Sequence, residues 1–101
     1  MDTETQRIQK RYDTVLTSRT FKNIADTLDL KEKRVLDLGC GYGEYMQRFA
    51  TNSVGVTTTQ AEVGYGKANN IDLRNGNVEL LDQTISTKEN FDAFWANNLF
   101  E

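Results

Sequence analysis

The sequence contains no histidine, no proline and a single cysteine, Cys40, among its 101 residues. One cysteine cannot form a disulfide within the chain, and without histidine too few nitrogen and sulfur ligands remain for zinc, so we predict no metal site. Because proline is absent, no helix is interrupted by a residue that lacks an N–H donor. No apolar run reaches transmembrane length, and residues 1–5 are too polar for a secretion signal, so we predict a cytoplasmic protein.

Basic residues are fewer than acidic ones. The chain has 12 lysines and arginines against 15 acids, a net charge of -3, and no basic run. This balance argues against nucleic acid or an anionic membrane as a partner. The hydrophobic fraction of 38% is sufficient for a core, and the length allows one domain at most.

The most constrained stretch is residues 35–43, with the sequence VLDLGCGYG. Val35–Leu38 is a short apolar run with one acid, typical of a strand buried on both faces of a parallel sheet. The alternate glycines that follow permit a sharp turn with positive φ and let a ligand approach bare backbone. Apolar residues at helical spacing predict an amphipathic helix over residues 44–50. Together these elements direct free backbone N–H groups at a polar ligand.

A dinucleotide-binding fingerprint, G-x-G-x-x-G, does not match this turn, because Glu44 stands where its third glycine should be. Acids on both sides of the turn, Asp37 and Glu44, would repel a pyrophosphate. The same acids suit a ligand that carries positive charge. An NAD-dependent oxidoreductase is therefore the less favoured enzyme.

The pattern Asp-x-Gly-x-Gly-x-Gly in residues 37–43 resembles the first motif of the class I S-adenosylmethionine-dependent methyltransferases. The resemblance implies that a turn containing Gly39, Gly41 and Gly43 lies against the amino-acid part of S-adenosyl-L-methionine. It also implies that Asp37 helps to hold the ammonium side of this cofactor. We interpret Cys40, inside the turn, as a small packed residue and not as a nucleophile.

Two helices are predicted before the first strand. Apolar residues at helical spacing indicate a helix over residues 2–17, with Arg7, Lys10 and Arg11 on its solvated side. A second helix is predicted over residues 18–28 with Ser18 as its N-cap, followed by a solvated connector over residues 31–34. In the methyltransferases that this chain resembles, a leading helix closes over the cofactor. Tyr12 is thus a candidate lid residue, and simple packing on the sheet is the alternative.

Residues 53–57 are predicted to form the second strand, parallel to the first through a right-handed crossover. Most class I methyltransferases carry an acid after this strand to hold the ribose, whereas this chain has threonines. Gly-Val-Thr-Thr at residues 55–58 resembles a variant found in cyclopropane-forming relatives, which implicates Thr57 and Thr58 in cofactor binding. Glu62 falls where that variant has a further polar residue. We prefer a capping box between Thr59 and Glu62 at the start of a helix over residues 60–68.

Residues 71–75 alternate apolar and polar side chains, as an edge strand does. The dipeptide Asn75-Gly76 also permits a hairpin in which residues 71–74 pair with residues 78–81, and this alternative stays open. We prefer a single strand, because residues 76–79 resemble the family segment whose acid meets the adenine amino group. Asn77 stands at that acid's position and Val78 follows it; an amide oxygen can accept the same hydrogen bond without charge.

A polar loop is predicted over residues 82–90 and a fourth strand over residues 91–98, with Trp95 in the core. Asn97 would lie at the carboxyl end of that strand, where open α/β sheets bind ligands. By analogy with the family, the fold class is α/β, a partial three-layer Rossmann-like parallel sheet in the order 3-2-1-4 with N-terminal helices. The fourth strand would then be an exposed edge. We therefore expect a helical segment over residues 1–30 and a partial methyltransferase domain over residues 31–101, truncated after that strand.

The sequence thus predicts an S-adenosylmethionine-dependent methyltransferase that acts on an unidentified small-molecule, sugar or lipid acceptor. No residue is assigned a catalytic role, because methyl transfer depends mainly on the orientation of the two reactants. The 101 residues alone need not be active. The alternative from another class is a non-catalytic Rossmann-like interaction module or an inactive fragment.

Overall fold

The computed structural model describes residues 3–77, 81–85 and 88–96. Its helices are α1 (Thr3–Leu16), α2 (Arg19–Thr27), α3 (Gln60–Ala68) and the single turn α4 (Leu81–Thr84). Its strands are β1 (Val35–Leu38), β2 (Val54–Thr57), β3 (Leu73–Asn75) and β4 (Ala93–Trp95). Short 3₁₀ helices, Leu30–Glu32 and Glu44–Arg48, precede and follow β1.

The four strands form one parallel sheet in the order β3-β2-β1-β4, which confirms the predicted fold class and strand order. In the centre of the sheet, Leu36 of β1 is in register with Val54 of β2 and with Phe94 of β4. Arg74 of β3 pairs in parallel with Val56, as the single-strand prediction requires. Of the residues that the hairpin alternative would pair with β3, residues 78–80 lie outside the described residues, and Leu81 begins a helix. With helices packed on it, the sheet is a partial Rossmann-like fold.

Successive residues of β1 reach two separate cores. Val35 belongs to a cluster with residues of α1, α2, the first 3₁₀ helix and the position after the second, namely Val15, Phe21, Ala25, Leu30 and Phe49. Leu36 points to the opposite face and packs with Val54 and Val56, against the partly buried Leu38, Leu81, Ile85 and Phe91. Both residues are at most 3% exposed, so β1 is buried on both faces as its composition predicts.

The first three α-helices lie close to their predicted bounds. Ser18 caps α2 as expected: its hydroxyl oxygen accepts the N–H of Phe21 at 3.2 Å. Only Phe21 and Ala25 of α2 are buried, whereas Ile24 and Leu28 are 38% and 49% exposed despite their place on the predicted apolar face. Leu28 follows the last helical residue, as the C-cap of α2.

The segment after the glycine turn differs from its prediction. Residues 44–48 form a 3₁₀ helix and not an amphipathic α-helix over residues 44–50. Phe49 ends the element, since its backbone is extended, its N–H bonds to the Met46 carbonyl, and its side chain is 1% exposed in the core. Burying Phe49 therefore takes the chain out of helical geometry after little more than one turn.

Charged residues near the amino ends of the strands are less solvated than predicted. The guanidinium of Arg34 lies 4.4 Å from the ring centroid of Phe91 and contacts Glu89 at 3.1 Å. Glu89 also contacts Arg74 at 2.9 Å, which links β3 to the start of β1. The connector over residues 31–34 is therefore partly packed. The predicted loop over residues 82–90 includes most of the turn α4.

None of the helices in residues 3–77, 81–85 and 88–96 combines the length and apolar composition needed to cross a lipid bilayer.

Two glycines of α3 provide a matched test of its packing. A Cβ on Gly66 would lie 2.7 Å from the Ile71 carbonyl oxygen and 2.8 Å from Leu73 Cγ, whereas a Cβ on Gly64 would meet no atom within 4 Å. We expect Gly64→Ala to raise the free energy of unfolding by up to about 1 kcal/mol through helix propensity. Gly66→Ala should lower it, because the clash is with backbone. Urea denaturation measures both; equal shifts in the same direction would contradict this packing.

Candidate functional site

The glycine turn is attached to the neighbouring strand. The backbone N–H groups of Gly39 and Cys40 both donate to the carbonyl oxygen of Val56, each at 3.0 Å. The glycines at 39, 41 and 43 have φ of 75°, 60° and 83°, which side-chain-bearing residues rarely adopt. The turn therefore lies at the carboxyl ends of β1 and β2, the edge where open α/β sheets bind ligands.

Cys40 is a packed residue within this turn. It is 1% exposed, and its Sγ and Cβ each lie 2.7 Å from the position that a Cβ on Gly55 would take. Burial raises the pKa of its thiol above the ordinary value. Cys40 is thus a poor nucleophile, in agreement with its interpretation from the sequence.

The backbone at Gly41 is not bare, contrary to the expectation from sequence. A Cβ on Gly41 would lie 2.7 Å from Glu44 Oε1 and 2.8 Å from Arg11 Nη2. Glu44 Oε1 accepts the N–H of Tyr42 at 2.9 Å, and Glu44 Oε2 accepts Arg11 Nε at 2.7 Å. The Glu44 side chain is only 5% exposed. The Glu44 carboxylate thus accepts hydrogen bonds from the two groups beside the turn that could otherwise bind a ligand, the Tyr42 N–H and the Arg11 guanidinium.

Helix α1 lies directly on the turn. The Tyr12 hydroxyl donates to the Tyr42 carbonyl at 2.6 Å, and Gln47 Nε2 donates to the Tyr12 carbonyl at 3.1 Å. Burial, followed by the effect of Tyr65, raises the pKa of Tyr12. The Arg11 guanidinium is 5.3 Å from the centre of the Tyr42 ring. Tyr12 therefore sits where a lid residue would, and its role in closure stays a prediction.

Asp37 is a buried acid with spare hydrogen-bonding capacity. It is 1% exposed, and its Oδ2 has no hydrogen-bond partner among the residues that the structure describes. Burial, with a smaller contribution from the charge of Glu44, raises the pKa of Asp37 to about 8. At neutral pH the group is thus mostly protonated, and a cation beside it would favour its charged form.

The end of β2 places Thr57 and Glu62 together. The Thr57 hydroxyl donates to Glu62 Oε1 and accepts the N–H of Thr59 at 3.2 Å. The side chain of Thr59 makes no capping hydrogen bond, so the predicted capping box is wrong. The Glu62 carboxylate accepts a hydrogen bond from Thr57, whereas in a capping box it would accept the backbone N–H of Thr59. Thr58, next along the chain, is exposed.

The end of β3 reaches the same edge of the sheet. The N–H of Gly76 donates to the Thr57 carbonyl at 2.8 Å, which holds the chain leaving β3 beside the end of β2. Asn77 follows and is exposed. Val78 and Asn97, also predicted to bind the cofactor, lie outside the described residues.

Six of the predicted site residues are therefore described at or just beyond the carboxyl ends of neighbouring strands: Asp37, Gly39, Gly41, Thr57, Thr58 and Asn77. Gly43, also predicted to bind the cofactor, is not with them, because it lies near the residues that begin β3. Gly43 is buried, and a Cβ there would lie 3.3 Å from Ile71 Cγ2 and 3.5 Å from Leu73 Cδ2. Gly43 thus lets the turn pack against the residues around the start of β3.

Sequence reasoning missed Arg11 and Glu44 as a pair at the turn. Arg11 was expected on the solvated side of its helix, and its side chain is 41% exposed, although its Nε reaches a nearly buried carboxylate. The two residues are 33 positions apart, so no local pattern indicates their contact. An acid directly after the turn was the one available signal.

Comparison with protein-family models finds no match to this sequence, and comparison with curated proteins likewise finds no significant match.

The raised pKa of Asp37 makes a pH-dependent prediction. Unfolded, this carboxyl loses its proton near pH 3.8; folded, it keeps the proton until about pH 8. Its contribution to stability is complete below pH 3.8 and is lost as the pH rises toward 8, by up to about 1.4 kcal/mol per pH unit. We expect Asp37→Asn to gain stability relative to wild type from pH 5 to pH 8 in urea denaturation. A difference that stays constant over that range would contradict the assignment.

Proposed function

We propose that this chain is the cofactor-binding half of a class I S-adenosylmethionine-dependent methyltransferase. The proposal rests mainly on one observation: a three-glycine turn with positive φ lies at the carboxyl edge of a central parallel strand, next to a buried carboxyl group whose Oδ2 has no partner in the described structure. The strand order agrees with that fold. S-adenosyl-L-methionine supplies an electrophilic methyl group on a positively charged sulfur.

The residues around the turn fit the amino-acid part of such a cofactor. The unpartnered Oδ2 of Asp37 can accept from an ammonium group, and the positive charge would lower the pKa of Asp37 from about 8. The backbone of Gly39 and Gly41 allows close approach because neither residue has a Cβ. This combination suits a cationic ligand better than a pyrophosphate.

A ligand carboxylate would find two donors beside the turn, the N–H of Tyr42 and the guanidinium of Arg11. Both are engaged by Glu44. We therefore expect the Glu44 side chain to change rotamer when the site is used, which releases these donors without moving the backbone bonds of the turn to Val56.

The remaining polar groups along the edge suit the nucleoside part. The Thr57 hydroxyl holds the Glu62 carboxylate at the end of β2, where ribose hydroxyls would lie in this family. Asn77 follows β3 and offers an amide oxygen to the adenine amino group, with Val78 next to it and Asn97 after β4 as further contacts by resemblance.

These residues bind and orient; none needs to act as an acid, a base or a nucleophile. Holding the methyl donor in one orientation makes the reaction with a bound acceptor effectively intramolecular. The acceptor class stays open between a small molecule, a sugar and a lipid.

Calorimetric titration tests the proposal. The purified chain should bind S-adenosylmethionine and S-adenosylhomocysteine saturably and should not bind NADH. Binding of NADH alone would contradict the proposal. Methyl transfer by a longer chain that includes these residues would separate an enzyme from a non-catalytic module.

Gly41→Val should abolish binding of S-adenosylmethionine while the far-UV circular dichroism stays similar. The valine side chain would collide with Glu44 and Arg11 and would fill the face of the turn. Gly64→Val is the matched control, since a Cβ there meets nothing within 4 Å, and it should bind as wild type does. Normal binding by Gly41→Val would show that the turn is not the site.

A further inference from the structure

Two cavities with chemically different linings lie side by side near α1 and are together called the groove; Glu44, which follows the glycine turn, lines the first of them. The first cavity, of about 340 Å³, is lined by Arg7, Lys10, Arg11, Thr14, Val15, Glu44 and Tyr45. A second cavity, of about 230 Å³, shares Thr14, Val15 and Tyr45 with the first and continues to Ser18, Thr20, Phe21, Ile24 and Trp95. The first volume alone is within the range of small-molecule sites.

The first end of the groove is cationic. Arg7, Lys10 and Arg11 are spaced i, i+3 and i+4 on α1 and therefore share one face of the helix. The one carboxylate in this lining, Glu44, is already engaged by Arg11 and by the Tyr42 N–H. Three cations and one acid leave two positive charges in excess, in a chain whose net charge is -3.

Arg11 connects this end of the groove to the turn. It uses Nε for Glu44, and a guanidinium carries four further N–H donors. Its Nη2 also lies 2.8 Å from the Cβ position of Gly41. A molecule bound at the cationic end would therefore lie next to the face of the turn assigned above to the methyl donor.

The other end is apolar and aromatic. Phe21 lies 4.9 Å from Tyr45 and 5.0 Å from Trp95, measured between ring centroids. Ile24 is 38% exposed beside them. Trp95 also carries a buried Nε1 that has no hydrogen-bond partner in the described parts of the chain. The aromatic part of this lining fits an apolar body.

We propose that this groove binds a small amphiphilic anion, with a carboxylate or phosphate at the cationic end and an apolar body against the aromatic residues. The proposal rests on the proposed function in one respect, which is that this anion is the methyl acceptor. Charge complementarity favours the anion, because arginine and lysine form strong charge-assisted bonds to carboxylates and phosphates. The occupant is a free small molecule.

Trp95 is the only tryptophan in the sequence, and it lines the second cavity, so its fluorescence reports on the surroundings of one side chain of this groove. The matched probes are 3-phenylpropionate, 3-phenylpropyl phosphate, 3-phenylpropanol and 3-phenylpropylammonium, which share one apolar body. Both anions should change the emission saturably, with affinity that falls as salt rises. The alcohol should bind about tenfold more weakly, since it lacks the charge-assisted bonds. Equal binding of alcohol and anions would overturn the proposal.

Two double variants distinguish binding in the groove from a general effect of the protein's net charge. Arg7→Gln/Lys10→Gln should weaken binding of 3-phenylpropionate about tenfold, since it removes both excess charges. Arg19→Gln/Lys67→Gln makes the same charge change at exposed positions outside the groove and should leave affinity within about twofold. If both double variants weaken binding equally, the groove is not the site.

The two proposals can fail separately. Anion binding without binding of S-adenosylmethionine would leave the groove as an anion site and remove the acceptor role. Binding of S-adenosylmethionine without anion binding would overturn the groove and leave the function standing. Binding to anionic phospholipid vesicles, but to neither free anion, would also overturn the choice of a free small molecule.

Discussion

The structure depends on how the glycine turn is attached to β2. The carbonyl of Val56 accepts the N–H groups of both Gly39 and Cys40, and the Cys40 side chain fills the space above Gly55 that any larger residue would need. These contacts hold the turn against β2. The carbonyl oxygen of Thr57 accepts the N–H of Gly76, so hydrogen bonds link the carboxyl ends of β1, β2 and β3 along one edge of the sheet. The candidate site is a consequence of that alignment.

A second layer of contacts joins α1 to this edge. Tyr12 donates to the Tyr42 carbonyl, and Arg11 pairs with Glu44 across 33 positions of sequence. Arg11 is 41% exposed, so solvent screens the ion pair and its net contribution to stability is small. The ion pair instead fixes positions. It holds the Glu44 carboxylate against the glycine turn and the basic residues of α1 beside that turn. The proposed methyl-donor site and the proposed anion groove therefore share Arg11 and Glu44.

The sequence predicted the fold well because the relevant signals are local. A two-sided buried strand, three alternate glycines and a long spacer predict that β1 and β2 are parallel, which they are, although the spacer holds a 3₁₀ helix and not an α-helix. The strand order followed from resemblance to a known family. What failed depends on tertiary contacts. The burial of Phe49 ends the helical segment after the glycine turn earlier than predicted. The Glu62 carboxylate bonds to the Thr57 hydroxyl and not to the N-terminus of α3. The Arg11–Glu44 pair and the link from Arg34 through Glu89 to Arg74 connect distant positions that no periodicity relates.

The central claim is that S-adenosylmethionine binds on the glycine turn, and selective ¹⁵N labelling of glycine tests it most directly. If the cofactor binds there, titration with S-adenosylmethionine shifts the amide resonances of Gly39 and Gly41, while that of Gly64, exposed on α3, stays in place. Saturable binding that leaves Gly39 and Gly41 unmoved would contradict it.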